Sequence, residues 1–161
     1  MDQINEKILA CLVENARYSL DEISKIVDQE KEEVEKRIKE LENNGTILKY
    51  GAVINRVQDD KHVSALIEVK VTPQAMYGFD KIAEDLCKFN EIKDMYLMSG
   101  GFDLALFIEA KNLYEVSAFV SEKLSQIEGI VNVSTHFVLK NYKVDGAIAC
   151  KASDIERQML I

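Results

Sequence analysis

The sequence predicts an α+β chain, with a helix-turn-helix unit followed by a βαββαβ domain. Two observations carry this prediction. Up to Gly45 the apolar residues recur at the three-and-four spacing of amphipathic helices, and beyond it the period changes. From Ser64 onward, alternating stretches and helically spaced stretches follow in the order strand, helix, strand, strand, helix, strand.

The first helix is expected over residues 2–14, from the spacing of Ile4, Ile8, Leu9, Leu12 and Val13. Ser19 followed by Glu22 forms a capping box that opens a second helix, whose apolar face is Leu20, Ile23 and Ile26. Asp28 or Glu30 opens a third helix, with Val34, Ile38 and Leu41 as its buried stripe. Asn44-Gly45 stops it through a left-handed cap. A tight turn between the second and third helices makes a helix-turn-helix. Residues 46–54 then read as extended, β-rich chain broken by Gly51, and residues 55–63 as a polar linker.

In the second part, Ala65, Ile67, Val69 and Val71 alternate with Leu66, Glu68 and Lys70 in a strand over 64–72. Phe79, Ile82, Ala83, Leu86 and Phe89 mark a helix. Strands over 92–99 and 104–110 flank Gly100-Gly101-Phe102-Asp103. Leu113, Val116, Phe119, Val120 and Leu124 mark the second helix, and residues 130–142 a long final strand. Two crossovers joined by a hairpin put both helices on one face of an antiparallel sheet. The other face needs a cover, and a second copy of the domain is the simplest one. The expected organisation is 1–54, a linker at 55–63, and 64–161.

Composition sets limits. The chain has 161 residues, 47% of them hydrophobic, one proline and seven glycines, so it is not low-complexity. No apolar run approaches the roughly 18 residues a membrane span needs, and the acidic N-terminus is no secretory signal. The chain is read as cytoplasmic, with no membrane partner. Cys11, Cys87 and Cys150 are scattered and odd in number, which suits no disulfide framework and no metal. Cys11 and Cys87 are expected to be buried thiols, with Cys150 near the surface. His62 and His136 stand apart, and neither a phosphate loop nor a nucleophile elbow is present. No cofactor and no catalytic residue is expected.

The order and spacing of several stretches resemble the Lrp/AsnC family, the leucine-responsive or feast/famine regulators. These stretches are Asn15-Ala16-Arg17-Tyr18-Ser19-Leu20-Asp21-Glu22-Ile23-Ser24, then Val34, Arg37-Ile38, Leu41-Glu42 and Gly45-x-Ile47. Tyr50-x-Ala52 with Asn55, Ser99-Gly100-Gly101-Phe102-Asp103, and Gly129-Ile130 with Thr135 complete the match. The resemblance implies a winged helix-turn-helix joined to a ferredoxin-like effector domain. It also implies a homodimer that can assemble to an octamer, DNA as partner, and an amino acid or related metabolite as effector.

On that resemblance, Gln29, Lys31, Lys36, Arg37 and Lys39 are candidates for DNA contact, since Gln can read adenine and Lys can meet guanine or phosphate. Arg37 has a second reading, as a structural partner of a carboxylate. Ser99, Gly100, Gly101, Asp103 and Thr135 are the effector candidates. The two glycines leave backbone N–H groups open to a ligand carboxylate, and Asp103 suits a ligand amine.

The chain departs from the family at Asp28-Gln29-Glu30, where glycine-leucine-serine is usual. Residues 28–35 hold five carboxylates against Lys31 alone, and residues 1–45 hold twelve Asp/Glu against seven Lys/Arg. The overall charge is −8. A net field of this sign repels phosphate, so DNA contact must come from a local patch or from linked heads. The pairs Glu32–Lys36 and Glu35–Lys39 are expected on a solvated helix face. Two other readings follow: a metabolite-binding module with weakened DNA binding, and a siroheme-decarboxylase-like enzyme using His136, Tyr96 and Tyr142.

Overall fold

The computed structural model describes residues 2–55, 62–72 and 79–149, and it divides into two compact units, Met1–Val53 and Ile54–Ile161. In the first, α1 (Gln3–Glu14), α2 (Leu20–Val27) and α3 (Lys31–Asn43) surround a core of Ile8, Cys11, Ile23, Val27, Val34 and Leu41. The capping box of α2 is complete: the Glu22 N–H donates to Ser19 Oγ at 3.3 Å, and the Ser19 N–H to Glu22 Oε2 at 2.8 Å. Asp28, in the left-handed region at φ 53°, ends α2 and sets the turn into α3. Gly45 at φ 74° ends α3, and the Ile47 N–H closes on the Leu41 carbonyl at 2.9 Å.

The β-rich wing expected at 46–54 makes no strand pairing among the described residues. It bends at residues 46–47 and is held at Tyr50 Oη, which donates to Glu42 Oε1 at 2.9 Å. The partly apolar surroundings and the Glu42 carboxylate push the Tyr50 hydroxyl up to about 12. The expected linker lies mostly at 56–61, outside the described residues, as do Cys150 and the 151–161 tail.

The second unit is ferredoxin-like. β1 (Val63–Val71), α4 (Asp80–Leu86), β2 (Ile92–Leu97), β3 (Leu104–Ala110), α5 (Leu113–Ala118) and β4 (Ile130–Phe137) form a sheet in the order β2-β3-β1-β4, every neighbour antiparallel. The alternation of β1 decides its faces. Ala65, Ile67, Val69 and Val71 pack with Leu104, Leu106 and Ile108 under Ile82, Leu86, Val116, Phe119 and Leu124. α5 continues through a wider turn over Phe119–Lys123, where Phe119 meets the Phe89 ring edge-on at 5.6 Å. Gly129 stands at φ 96°, a backbone conformation that residues with a side chain rarely adopt.

The face without helices carries Leu66, Ala105, Phe107 and Tyr96 across its middle, by the register of the strands. Ser64, Glu68, Lys70, Asp94, Glu109, Asn132, Ser134 and His136 lie around them. It is therefore less apolar than the alternation of the sequence suggests.

Two expectations are corrected. The final strand stops at Phe137, and a separate hairpin of β5 (Lys143–Val144) and β6 (Ala147–Ile148) follows. Asp145 and Gly146, both at positive φ, form its two-residue turn. Cys87 is exposed at the end of α4 while Cys11 is buried, because Ile82 and Leu86 take the inward positions of that short helix. No helix among the described residues is long and apolar enough to cross a membrane.

Candidate functional site

Each cation of α3 meets a carboxylate. Lys31 Nζ lies 3.0 Å from Asp21, Lys39 Nζ 2.6 Å from Glu35, and Lys36 Nζ 4.0 Å from Glu40. Of the expected pairs, Glu35–Lys39 forms, but Lys36 turns towards Glu40 and not Glu32. Bonding to Lys39 holds the Glu35 carboxyl below its ordinary value and pushes the Lys39 ammonium up. All three lysines remain well exposed, with side chains 48%, 68% and 65% accessible. Such pairs are worth little in water and exchange readily for a phosphate. The Gln29 amide donates to the Asp28 carbonyl at 2.6 Å. Glu30 stands at the start of α3 without a side-chain cap bond, where serine would supply one.

Arg37 is different. Its side chain is only 19% accessible, and it faces α1. Nη1 donates to Asp2 Oδ2 at 2.6 Å and to Asn5 Oδ1 at 2.9 Å, and Nε donates to Glu33 Oε1 at 2.7 Å.

In the second unit the β2–β3 turn is pinned from inside. The Met98 N–H donates to the Asp103 carbonyl at 2.8 Å, and the Asp103 N–H to the Val69 carbonyl at 3.0 Å. Asp103 Oδ2 accepts the Val71 N–H at 2.9 Å, so one carboxylate oxygen is already used in tying the turn to β1. Ser99, Gly100 and Gly101 are exposed, and a Cβ on either glycine would meet open space. Among the described residues nothing accepts a hydrogen bond from the N–H groups of residues 99–102.

Thr135 stands on β4 opposite Ile67, on the helix-facing side. Val71, which holds Asp103, is four residues further along β1, about 13 Å at the rise of a strand. One chain therefore does not bring Thr135 to the turn.

Tyr96 and His136 lie on the two edge strands, with β3 and β1 between them. Tyr96 meets Phe107 edge-on at 6.1 Å. His136 Nε2 lies 3.5 Å from Glu68 and 3.3 Å from Ser134 Oγ. Tyr142 lies beyond β4 under Lys140, whose Nζ is 5.1 Å from the ring centre. Within one chain Tyr96 and His136 are thus held on opposite edges of the sheet. No group of three or more metal-ligating side chains exists among the described residues.

Two family models divide the chain between them. Residues 1–42 match the AsnC-type helix-turn-helix domain, and residues 64–148 match the Lrp/AsnC ligand binding domain. The chain belongs to the Lrp/AsnC family. It is 40% identical to the uncharacterized HTH-type transcriptional regulator YugG of Bacillus subtilis, over 94% of this chain and 92% of that one. The HTH-type transcriptional regulator FL11 of Pyrococcus furiosus is 32% identical, over 89% and 92%. A solved transcriptional regulator of Neisseria meningitidis, in complex with L-methionine, superimposes with a TM-score of 0.70 at 26% identity, covering 89% of this chain and 93% of that one.

As an Lrp/AsnC transcriptional regulator, the chain has its three-helix unit for DNA and its ferredoxin-like unit for a small ligand. The second reading of Arg37, as the partner of a carboxylate, named no residue; besides Glu33, four positions away, Arg37 meets Asn5 and Asp2, 32 and 35 positions away. Sequence reasoning missed the internal use of Asp103. No local motif signals the Asp2 and Asn5 contacts of Arg37 or the Val71 contact of Asp103.

Proposed function

We propose that this regulator binds an amino acid or related metabolite at the β2–β3 turn, near a boundary between two copies of the chain. Occupancy then alters the spacing of helix-turn-helix heads in a dimer or octamer, and so alters DNA binding. The observation that carries the reading is the turn itself: four consecutive backbone N–H groups without acceptors among the described residues, beside two unobstructed glycines. Backbone N–H groups of this kind suit a ligand carboxylate. The second oxygen of Asp103 suits an amine, and Thr135 of another copy can complete the site. The L-methionine complex of the Neisseria meningitidis relative supports an amino-acid ligand. Gln29, Lys31, Lys36 and Lys39 are assigned to base and phosphate contacts, made in the cytoplasm where DNA is reached.

Replacing Gly101 with Phe tests the ligand site. The fold accepts a side chain there, because its Cβ meets nothing within 4 Å. A thermal-shift screen of amino acids on the wild-type chain should yield a stabilising ligand, worth roughly 2.7 kcal/mol at 100 times its dissociation constant. The Gly101→Phe chain should lose that stabilisation and keep its own melting temperature. Equal stabilisation of both chains would place the site elsewhere. The groove of about 420 Å³ between Lys81, Ile82, Phe89 and Ile127 is then the next place to test.

A further inference from the structure

We infer that Arg37 is a positioning residue of the recognition helix: it aims α3 through Asp2 and does not itself touch DNA. The inference rests on the reading of α3 as the DNA-facing helix.

The geometry separates Arg37 from the other cations of α3. Lys31, Lys36 and Lys39 project into solvent, each beside one exposed carboxylate. The Arg37 guanidinium lies in the angle between α1 and α3, with three polar contacts drawn from both helices. Its contacts with Asp2 and Glu33 hold it still further into its charged range.

Asp2 works with both of its oxygens. Oδ1 accepts the Asn5 N–H at 2.8 Å and so caps the first turn of α1. Oδ2 accepts from Arg37. Bonded first by that backbone N–H and then by Arg37, the Asp2 carboxyl sits below its ordinary range. One carboxylate thus fastens the start of α1 to the middle of α3.

The apolar contacts beneath, from Ile4, Ile8, Val34, Ile38 and Leu41, hold the helices together without fixing direction. A planar fork bonded at three points is directional. Base reading depends on direction, whereas attraction to the phosphate backbone largely does not.

The test exploits the two oxygens. Asp2→Asn keeps Oδ1 for the cap, where Asn serves as well as Asp, and replaces Oδ2 with an amide that cannot accept from Arg37. Arg37→Lys keeps the charge and loses the fork. Glu33→Ala removes the acceptor of Arg37 Nε–H, and so one contact of the same fork, without touching α1. The full chain and each variant are titrated against two probes across a salt series: a genomic duplex fragment selected with the wild-type chain, and random-sequence duplex DNA. Melting temperatures are measured alongside.

All three variants should lose about tenfold in affinity for the selected fragment, the scale of one hydrogen bond to a charged group. They should bind random duplex as well as the wild type or better, with an unchanged salt slope. A phosphate contact predicts otherwise. Asp2→Asn would then release a cation and tighten binding to both probes, and Arg37→Lys would match the wild type. Arg37→Gln would lower the salt slope by about 0.9 per head. Any one of those three results overturns the inference while leaving DNA reading intact. A wild-type chain that selects no fragment at all overturns the DNA reading and the inference with it.

Discussion

The chain should sediment as a dimer or larger, with no monomer, at micromolar concentration. The argument begins with the sheet. Its two helices cover one face, and Leu66, Phe107 and Tyr96 lie across the other. Phe107 is 40% exposed and Tyr96 52%. Beyond β4 the same unit leaves Leu139 and Ile148 96% and 75% exposed. Isolated domains rarely show so much apolar surface in one unit, and permanent interfaces remove it by burying about 2,000 Å² or more.

Phe107 is the residue on which this depends most. It stands between Leu66 and Asp94 in the register of the sheet, with Tyr96 against its ring. Phe107→Glu would place a carboxylate between Leu66 and Asp94, with Lys70 four residues further along β1 and no cation opposite it in the register. The variant should sediment as monomer at the same concentration, with its helices intact by circular dichroism. A wild-type monomer would remove the cover proposed for this face, and with it the site shared between copies.

The second large effect concerns the heads. Residues 1–53, expressed alone, should fold around their own core and show no measurable duplex binding at physiological salt. Each phosphate contact adds roughly 0.9 to the slope of log affinity against log salt, and α3 offers few cations for such contacts. Lys31, Lys36 and Lys39 must each leave a carboxylate, and Glu32, Glu33 and Glu35 repel the backbone they approach. Linked heads recover the loss, since a second head that binds intramolecularly can raise avidity by about 10² to 10⁴.

The same reasoning fixes the sign of a charge substitution. Glu32→Gln with Glu35→Gln removes two repelling charges and frees Lys39 from its 2.6 Å bond. Non-specific affinity of the intact chain should rise, with a steeper salt slope, and the thermal response to the effector should not change. Lower affinity would mean that these carboxylates act within the DNA complex.

What the sequence made legible was whatever local chemistry decides. Ser19 and Glu22 form a reciprocal cap because three positions separate them, and Gly45 ends α3 because it tolerates positive φ. The alternation of β1 fixes both faces of the sheet from nine residues. Features set by distant partners were hidden. Arg37 reads equally as a DNA contact and as the partner of a carboxylate until Asp2 is seen beside it. Asp103 reads as a free carboxylate until Val71 is seen to occupy one oxygen. The β5–β6 hairpin was a different failure, because its signal was present. Asp145-Gly146 is a two-residue turn pair, but the strand expected over 130–142 ran through the break after Phe137 and ended before this turn. Thr135 belongs to a third class, since its place in a site depends on another copy of the chain.

Selection of genomic DNA fragments by the full chain, with and without a pool of amino acids, tests the central claim most directly. The account predicts fragments enriched over random DNA that carry more than one spaced copy of a common element, with recovery that changes when the pool is added. No enrichment even at low salt, with the pool present or absent, would contradict it, and the chain would then be a metabolite-binding module whose helix-turn-helix no longer reads DNA.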